Sequence, residues 1–111
     1  MNSFIIDSLA DAGVPVRLRT YAGNADQYVT FFTEDFPDLH ADDAEDMTGY
    51  FIQMDVFSKG NYINLVKQIK GLMLQAGFER ISFRDDPYAS EANLFHKVMT
   101  FSYSEITEEE L

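Results

Sequence analysis

The sequence predicts an α+β fold of two layers, in which two helices pack on one face of a mostly antiparallel five-stranded sheet. Two observations lead to this prediction. Residues 50–57 alternate with the period of a strand, and residues 62–76 then repeat apolar side chains with the period of a helix. Four further alternating segments, separated by turn-forming residues, supply the other strands. The predicted order of elements is therefore α-β-β-β-α-β-β.

The amino-terminal part predicts one helix and one hairpin. The helix spans residues 3–12 and ends at Gly13, which can adopt the left-handed conformation. Residues 14–21 and 27–33 both alternate, and a cluster of small and polar residues separates them, so we predict a two-stranded antiparallel hairpin. Both faces of its second strand carry large apolar side chains, which is typical of an inner strand.

An acidic segment follows the predicted hairpin. Residues 34–47 include seven acids and a proline and do not alternate, so we expect a solvated loop. Carboxylates are ligands for Ca²⁺ and Mg²⁺, but the segment lacks the regular spacing and central glycine of an EF-hand loop, and no metal site is predicted. The acids that we expect to project from this loop are Asp38, Asp42, Asp43, Glu45 and Asp46.

The central strand and helix are the clearest elements of the sequence. The strand has one apolar face, formed by Tyr50, Ile52, Met54 and Val56. The helix begins near Asn61, whose side-chain oxygen can cap it, and ends at Gly77.

The carboxy-terminal part predicts two more strands, over residues 79–84 and 93–103. A loop over residues 85–91 separates them, and residues 104–111 form an acidic tail that we expect to be flexible. Residues 1–111 are thus expected to form one domain.

Composition excludes several classes of function. The chain has 111 residues, no cysteine and a formal net charge of −11, with a pI near 4.3. Such a charge repels nucleic-acid phosphates and anionic lipids, so sequence-specific nucleic-acid binding and membrane association are not expected. The amino terminus does not resemble a signal peptide, and we expect a soluble protein that is not exported.

No catalytic or cofactor site is predicted. The two histidines are His40, in the acidic segment, and His96, in the last predicted strand. Neither belongs to a metal-binding or nucleophile motif, and the glycines are too scattered to form a phosphate-binding loop. We therefore expect a protein that is not an enzyme and that holds no cofactor.

The aromatic residues exceed what one sheet face and two helices can shelter. Two interpretations stay open: the excess is buried against other subunits, or long loops cover the second face of the sheet. The residues concerned are Phe31, Phe51, Phe57, Tyr62 and Tyr103.

A series of short motifs resembles a known family. From about residue 14 to residue 105 the chain resembles the tail completion proteins of long, non-contractile-tailed bacteriophages. These are tail terminator or tail-to-head joining subunits, often encoded in prophages and sometimes labelled minor capsid proteins. The motifs are Tyr50-Phe51-Ile52-Gln53-Met54-Asp55-Val56-Phe57-Ser58-Lys59, then Tyr62, Leu65, Ile69-Lys70, Ala76-Gly77-Phe78, Asp86-Pro87-Tyr88 and Leu94-Phe95-His96-Lys97. The chain departs from the family pattern at Ala89 and Asn93.

The resemblance implies a non-enzymatic virion protein, assembled in the cytoplasm of the bacterial host. Such proteins form a ring, usually a hexamer, at the head-proximal end of the tail, where they contact the major tail tube protein and the head-closure or connector protein. An acidic lumen would let DNA pass without binding. The acidic loop would line this lumen or the docking rim. The expected contacts between subunits use the aromatics Phe31, Phe51, Phe57 and Tyr62 and the cations Lys59, Lys67, Lys70, Arg80 and Arg84. A second interpretation of the cations stays open, namely that they form the solvated face of a helix and a strand.

Two other classes of function stay open at this point. An acidic DNA-mimic inhibitor would explain the charge, although such a protein spaces its acids along one rigid surface. A small ferredoxin-like regulatory module that binds a ligand would explain the α+β layout, although the sequence offers no glycine-rich turn.

Overall fold

The structure of the chain is a computed structural model that describes residues 1–38, 47–89 and 93–106. Within them, two α-helices and five strands follow the predicted order along the chain. The helices are α1 (Asn2–Ser8) and α2 (Ile63–Gln75), and a short 3₁₀ helix (Ala10–Ala12) follows α1. The strands are β1 (Val16–Leu18), β2 (Gln27–Asp38), β3 (Met47–Ser58), β4 (Glu79–Ala89) and β5 (Leu94–Ile106).

The sheet is mixed, which corrects the prediction of a mostly antiparallel sheet. Its spatial order is β1-β2-β3-β5-β4. The pairs β2–β3, β3–β5 and β4–β5 are antiparallel, whereas β1 is parallel to β2, with Val16 opposite Val29. The predicted amino-terminal hairpin is therefore wrong.

The segment between β1 and β2 explains the parallel pairing. Arg19 still donates its N–H to the Phe31 carbonyl of β2, but its φ of 66° lies in the left-handed region, so the chain turns away from β2 after this residue. It returns to the start of β2 with Tyr21 stacked on Tyr28, 4.4 Å between ring centroids, and the Tyr21 hydroxyl accepts a hydrogen bond from the Ala25 N–H. Alternation alone does not distinguish this return from a hairpin turn.

Both helices pack on one face of the sheet and enclose the core. Ile5, Ile69 and Met73 of the helices have no solvent exposure. They join a cluster of buried strand residues that come from alternate positions of β2, β3 and β5, namely Val29, Phe31, Ile52, Met54, Val56, Met99 and Phe101. We call the opposite side of the sheet the open face.

The ends of the helices follow from local chemistry. The single helix predicted over residues 3–12 divides at Leu9, which has a φ of −98° and a ψ of 10°, and the Ser8 hydroxyl donates to the Phe4 carbonyl in the last turn of α1. At the start of α2 the Asn61 side chain accepts a hydrogen bond from the Ile63 N–H, as expected from the sequence. After the last residue of α2, Gly77 has a φ of 102°, in the left-handed region, and prevents the helix from continuing.

The hairpins β2–β3 and β4–β5 project from opposite ends of the sheet. The first ends at Asp38 opposite Met47, and the second ends at Ala89 opposite Leu94. A helix of 13 residues spans about 20 Å, whereas a strand of 12 residues spans about 40 Å. The molecule is accordingly elongated, with extents of 51 × 23 × 22 Å.

The strands extend into segments that were expected to be irregular. Residues 34–38 continue β2, residues 85–89 continue β4 and residues 104–106 continue β5. In β2 the reason is cross-strand packing, because the Phe36 ring occupies the space beside Gly49 and stacks on Phe51 with 4.8 Å between centroids. The rest of the predicted acidic loop, with His40, Asp42, Asp43, Glu45 and Asp46, lies outside the described residues, as do residues 107–111 of the tail.

Candidate functional site

The open face of the sheet carries polar and aromatic side chains, and none of the described helices covers it. Strand alternation and register place on it the even residues of β2 from Tyr28 to Phe36 and the odd residues of β3 from Gly49 to Phe57. The even residues of β5 from His96 to Ser102 and those of β4 from Ser82 to Asp86 complete it.

Four stacked rings cross the open face at right angles to the strands. Tyr21 stacks on Tyr28, Tyr28 on Phe57 with 4.9 Å between centroids, and Phe57 on His96 with 4.4 Å. Each contact joins neighbouring strands or the segment beside them, so the row holds the sheet together where no helix supports it.

The histidine at the end of this row is held by two carboxylates. His96 Nε2 lies 2.7 Å from Asp55 Oδ1, and His96 Nδ1 lies 3.0 Å from Asp86 Oδ2. Arg84 forms an ion pair with the other carboxylate oxygen of Asp86, Oδ1. Both ring nitrogens thus have a carboxylate partner, and among the described residues no group of three or more His, Asp or Glu side chains is arranged to hold a metal ion.

This network is the part of the face that sequence reasoning did not identify. Alternation places Asp55 and Phe57 on one side of β3, but only the order of the strands brings Tyr28 and His96 next to Phe57. A signal was nonetheless present, since Asp86 and His96 both belong to the motifs of the family resemblance.

Aromatic side chains are exposed at the far end of the open face. Phe32 is 36% exposed and Phe51 is 45% exposed, so both retain apolar surface that other side chains do not cover. The Arg19 guanidinium lies 5.8 Å from the centroid of the Phe32 ring. Near the β2–β3 hairpin the open face therefore combines exposed aromatic rings with the carboxylate of Glu34, whereas near the β4–β5 hairpin it is mainly charged.

The aromatics predicted for a subunit interface occupy different environments. Phe31 is fully buried under the helices, so its assignment to an interface was wrong. The error arose because both faces of β2 are apolar in the sequence, and alternation does not say which face meets the helices. Phe51 and Phe57 lie on the open face, and Tyr62 lies at the start of α2, where its hydroxyl donates to Asp85.

The cations predicted for the interface do not gather in one patch. Lys59 lies 3.5 Å from Asp26, Arg80 stacks over Phe83 at 4.1 Å, and Lys67 and Lys70 lie on α2. Arg84 is the member of the set on the open face, and its side chain is 61% exposed. Of the predicted loop acids, Asp38 ends β2.

Two surface depressions provide a test of the ligand-binding alternative. The first is lined by residues 13–15, 25–27 and 58–60, where Gln27 Nε2 donates to Ser58 Oγ and Lys59 pairs with Asp26. The second is apolar and is lined largely by Tyr62, Ile63 and Phe95. The polar groups named at the first depression already bond to each other, which does not favour a small-molecule site.

Comparison with known proteins adds a fold relationship. No protein-family model and no curated protein matches the sequence. A chain of the virion of a native gene transfer agent particle has the same fold, with a TM-score of 0.51 and 12% identity over 89% of this chain and 83% of that one. The type 4 fimbrial biogenesis protein PilO from Pseudomonas aeruginosa gives a TM-score of 0.50 and 11% identity over 96% of this chain and 66% of that one.

A third solved structure matches more completely, with a TM-score of 0.56 and 11% identity over 99% of this chain and 95% of its own. Within the described residues, no helix has the length and apolar character that crossing a bilayer requires. At these identities the likenesses establish the fold: the chain shares its α+β architecture with a protein of a virion and with a protein of pilus biogenesis.

Proposed function

We propose that this chain is a structural virion protein that forms a ring at the head-proximal end of a phage tail. There it ends the growth of the tail tube, joins the tail to the head connector, or does both. The observation that carries the proposal is the fold shared with a chain of a gene transfer agent virion over most of both proteins. The sequence motifs point to tail completion proteins independently of that likeness.

The shape of the molecule suits a subunit that contacts neighbours at both ends. The hairpins β2–β3 and β4–β5 project in opposite directions along a body 51 Å long. One projection is available to the major tail tube protein and the other to the head-closure or connector protein. The exposed rings of Phe32 and Phe51 provide apolar surface for such contacts.

The chemistry of the open face supports a role without catalysis. A general base needs a free nitrogen beside a nucleophile, whereas both nitrogens of His96 lie against carboxylates. The net charge of −11 suits a passage through which DNA moves without binding. We therefore propose assembly in the host cytoplasm with other virion proteins, without a cofactor and without sequence-specific contacts to DNA.

Deletion of the gene in the phage or prophage that encodes it tests this function. We expect tails of variable, extended length, heads without tails, or both, in electron micrographs of lysates. Expression of the intact chain in trans should restore tails of uniform length joined to heads, whereas a frameshifted copy should not. Tails of normal length on filled heads in the deletion strain would refute the proposal.

A further inference from the structure

We propose that copies of this chain associate head to tail through two opposite flanks of the helix layer. The first surface, which we call the α1 flank, consists of Ile6, Asp7 and Leu18. The second surface, the α2 flank, is a stripe along one helix that consists of Ile63, Lys67, Lys70 and Leu74. The contact deepens the proposed function and rests on it in one respect, namely that copies of the chain form a ring.

The α2 flank faces away from α1. On the side of α2 that faces α1, Gln68 Nε2 donates a hydrogen bond to the Asp11 carbonyl, with 2.8 Å between the two atoms. Because a helix turns by about 100° per residue, Ile63, Lys70 and Leu74 lie about 120–160° around α2 from Gln68. This helix also contacts β4, an outer strand of the sheet. The α2 flank therefore lies on the β4 side of the molecule.

The α1 flank lies on the other side, next to β1. Phe4 stacks on Phe78 with 5.5 Å between ring centroids, so its side chain points toward the end of α2. Ile6 lies about 160° around α1 from Phe4 and points toward β1, the other outer strand, which α1 contacts. Leu18 is two residues from the core residue Val16, so alternation places it on the helix side of β1. Ile6 and Leu18 thus share one flank.

Both flanks carry aliphatic side chains that are largely in contact with water. The exposed fractions of Ile6, Leu18, Ile63 and Leu74 lie between 41% and 54%. Successive members of the α2 stripe are four, three and four residues apart, which keeps them on one face of the helix. Packing one flank against the other removes this apolar surface from water, which favours association.

Charge makes the two flanks complementary. The α1 flank carries Asp7, whereas the α2 flank carries Lys67 and Lys70, and none of the three forms an ion pair with another described residue. The cations of β1, Arg17 and Arg19, lie on the side of the open face instead. Contact between unlike flanks brings opposite charges together, whereas contact between like flanks opposes equal charges. Unlike flanks on opposite sides of a subunit can close into a ring.

Blocking each flank separately tests the contact. Ile6→Gln/Leu18→Gln removes the aliphatic groups of the α1 flank, and Ile63→Gln/Leu74→Gln removes those of the α2 flank, without changing the net charge. Sedimentation velocity in about 0.15 M salt, with up to about 1 mM protein, should show oligomers of the unchanged chain. Each blocked variant should associate at least about tenfold more weakly. Phe32→Gln, on the open face, is the matched control and should associate like the unchanged chain.

An equal mixture of the two blocked variants identifies which flanks meet. Each variant keeps one intact flank, so the mixture should form a heterodimer of one copy each and nothing larger, at a concentration where each variant alone is monomeric. Circular dichroism confirms that both variants fold. A homodimer of either variant, a mixture without heterodimers, or an unchanged chain that stays monomeric at about 1 mM would each overturn the proposal.

Charge exchange gives a second measurement. Asp7→Lys should weaken association about threefold, although it lowers the net negative charge and thereby the general repulsion between copies. Lys67→Glu/Lys70→Glu should also weaken association, and combining all three substitutions should restore part of it. Glu34→Lys makes the same change of charge on the open face and should not weaken association. Equal effects of Asp7→Lys and Glu34→Lys would overturn the contact between these flanks.

The flank contact and the proposed function can fail independently. If the deletion strain has defective tails but the mixed variants form no heterodimer, the flank contact is wrong and the proposed function stands. If the heterodimer forms and the deletion strain has normal particles, the flank contact stands and the proposed function is wrong.

Discussion

At the scale of single residues, one contact ties the start of α2 to the edge of the sheet. The Tyr62 hydroxyl donates to Asp85, and Lys97 Nζ lies 3.3 Å from the same carboxylate. The hydrogen bond from Tyr62 holds the pKa of Asp85 below its ordinary value of 3.8. Burial, followed by this hydrogen bond, raises the pKa of Tyr62 to about 12. The pair thus favours an ionised Asp85 beside a neutral Tyr62.

We predict that Tyr62→Phe destabilises the chain in a pH-dependent way. Because the pKa of Asp85 is lower in the folded than in the unfolded chain, its stabilisation is present above 3.8 and is lost as the pH falls through the folded value. Asp85 is 63% exposed, so the loss at neutral pH should be less than about 1 kcal/mol. Urea unfolding of both proteins at a series of pH values measures it.

Tyr103→Phe is the control for this experiment. The Tyr103 ring packs against Phe78 with 4.8 Å between centroids, and among the described residues its hydroxyl forms no hydrogen bond with Asp85, so its removal should not reproduce the acid-dependent loss that is expected for Tyr62→Phe. A Tyr62→Phe effect that persisted unchanged into strong acid would show that lost packing, not the hydrogen bond to Asp85, explains it.

At the scale of elements, the outer half of the β2–β3 hairpin depends on its own cross-strand contacts. Phe36 covers Gly49, where an added Cβ would lie 2.6 Å from two ring carbons, and Phe36 also stacks on Phe51. An aromatic ring over a strand glycine compensates for the missing side chain. This part of the hairpin is thereby ordered although it lies beyond the reach of α2.

We predict that Phe36→Ala loosens this part of the hairpin and leaves the helix-covered core intact. The lost ring contacts are worth about 0.5–1.5 kcal/mol, so amide exchange of residues 48–52 should become roughly threefold to tenfold faster. Phe32→Ala, on the same strand and face, is the matched control and should leave these amides unchanged. Hydrogen exchange read by NMR distinguishes the two. Uniform acceleration across β3 would indicate global destabilisation instead.

The sequence predicted correctly the elements whose hydrophobic periodicity is compatible with only one type of secondary structure. The strand that leads into α2 shows a clear change of period, and Asn61 and Gly77 mark the ends of the helix. The direction of β1 was wrong because alternation is the same in parallel and antiparallel strands. Residues 34–38 were expected in a loop because acids and proline rarely occur in central strands, but this stretch is an edge, where both are tolerated.

The sequence predicted only those features of the candidate site that depend on a single strand. Alternation placed Phe51 and Phe57 on the mixed face of the central strand, and the structure confirms this position on the open face. The His96 network needs β3, β5 and β4 side by side, and one sequence does not give the order of strands. Non-local contacts of this kind depend on topology, which local patterns do not encode.

At the scale of the whole molecule, the sides and the two ends of the elongated body have separate roles in the proposed assembly. Contacts between copies repeat around the ring, whereas the hairpin tips extend above and below it. The arrangement assigns copies of the chain to the sides and different virion proteins to the ends.

This geometry predicts the size of the ring. The molecule measures 51 × 23 × 22 Å. Six copies that stand side by side with their long axes along the ring axis have centres about 22 Å apart, so these centres lie on a circle about 45 Å in diameter. Cryo-electron microscopy of assembled tails measures this diameter. A hexameric ring whose subunit centres lie on a circle of about 100 Å would contradict the upright arrangement, because that diameter is the one expected if the 51 Å axis of each copy runs around the ring.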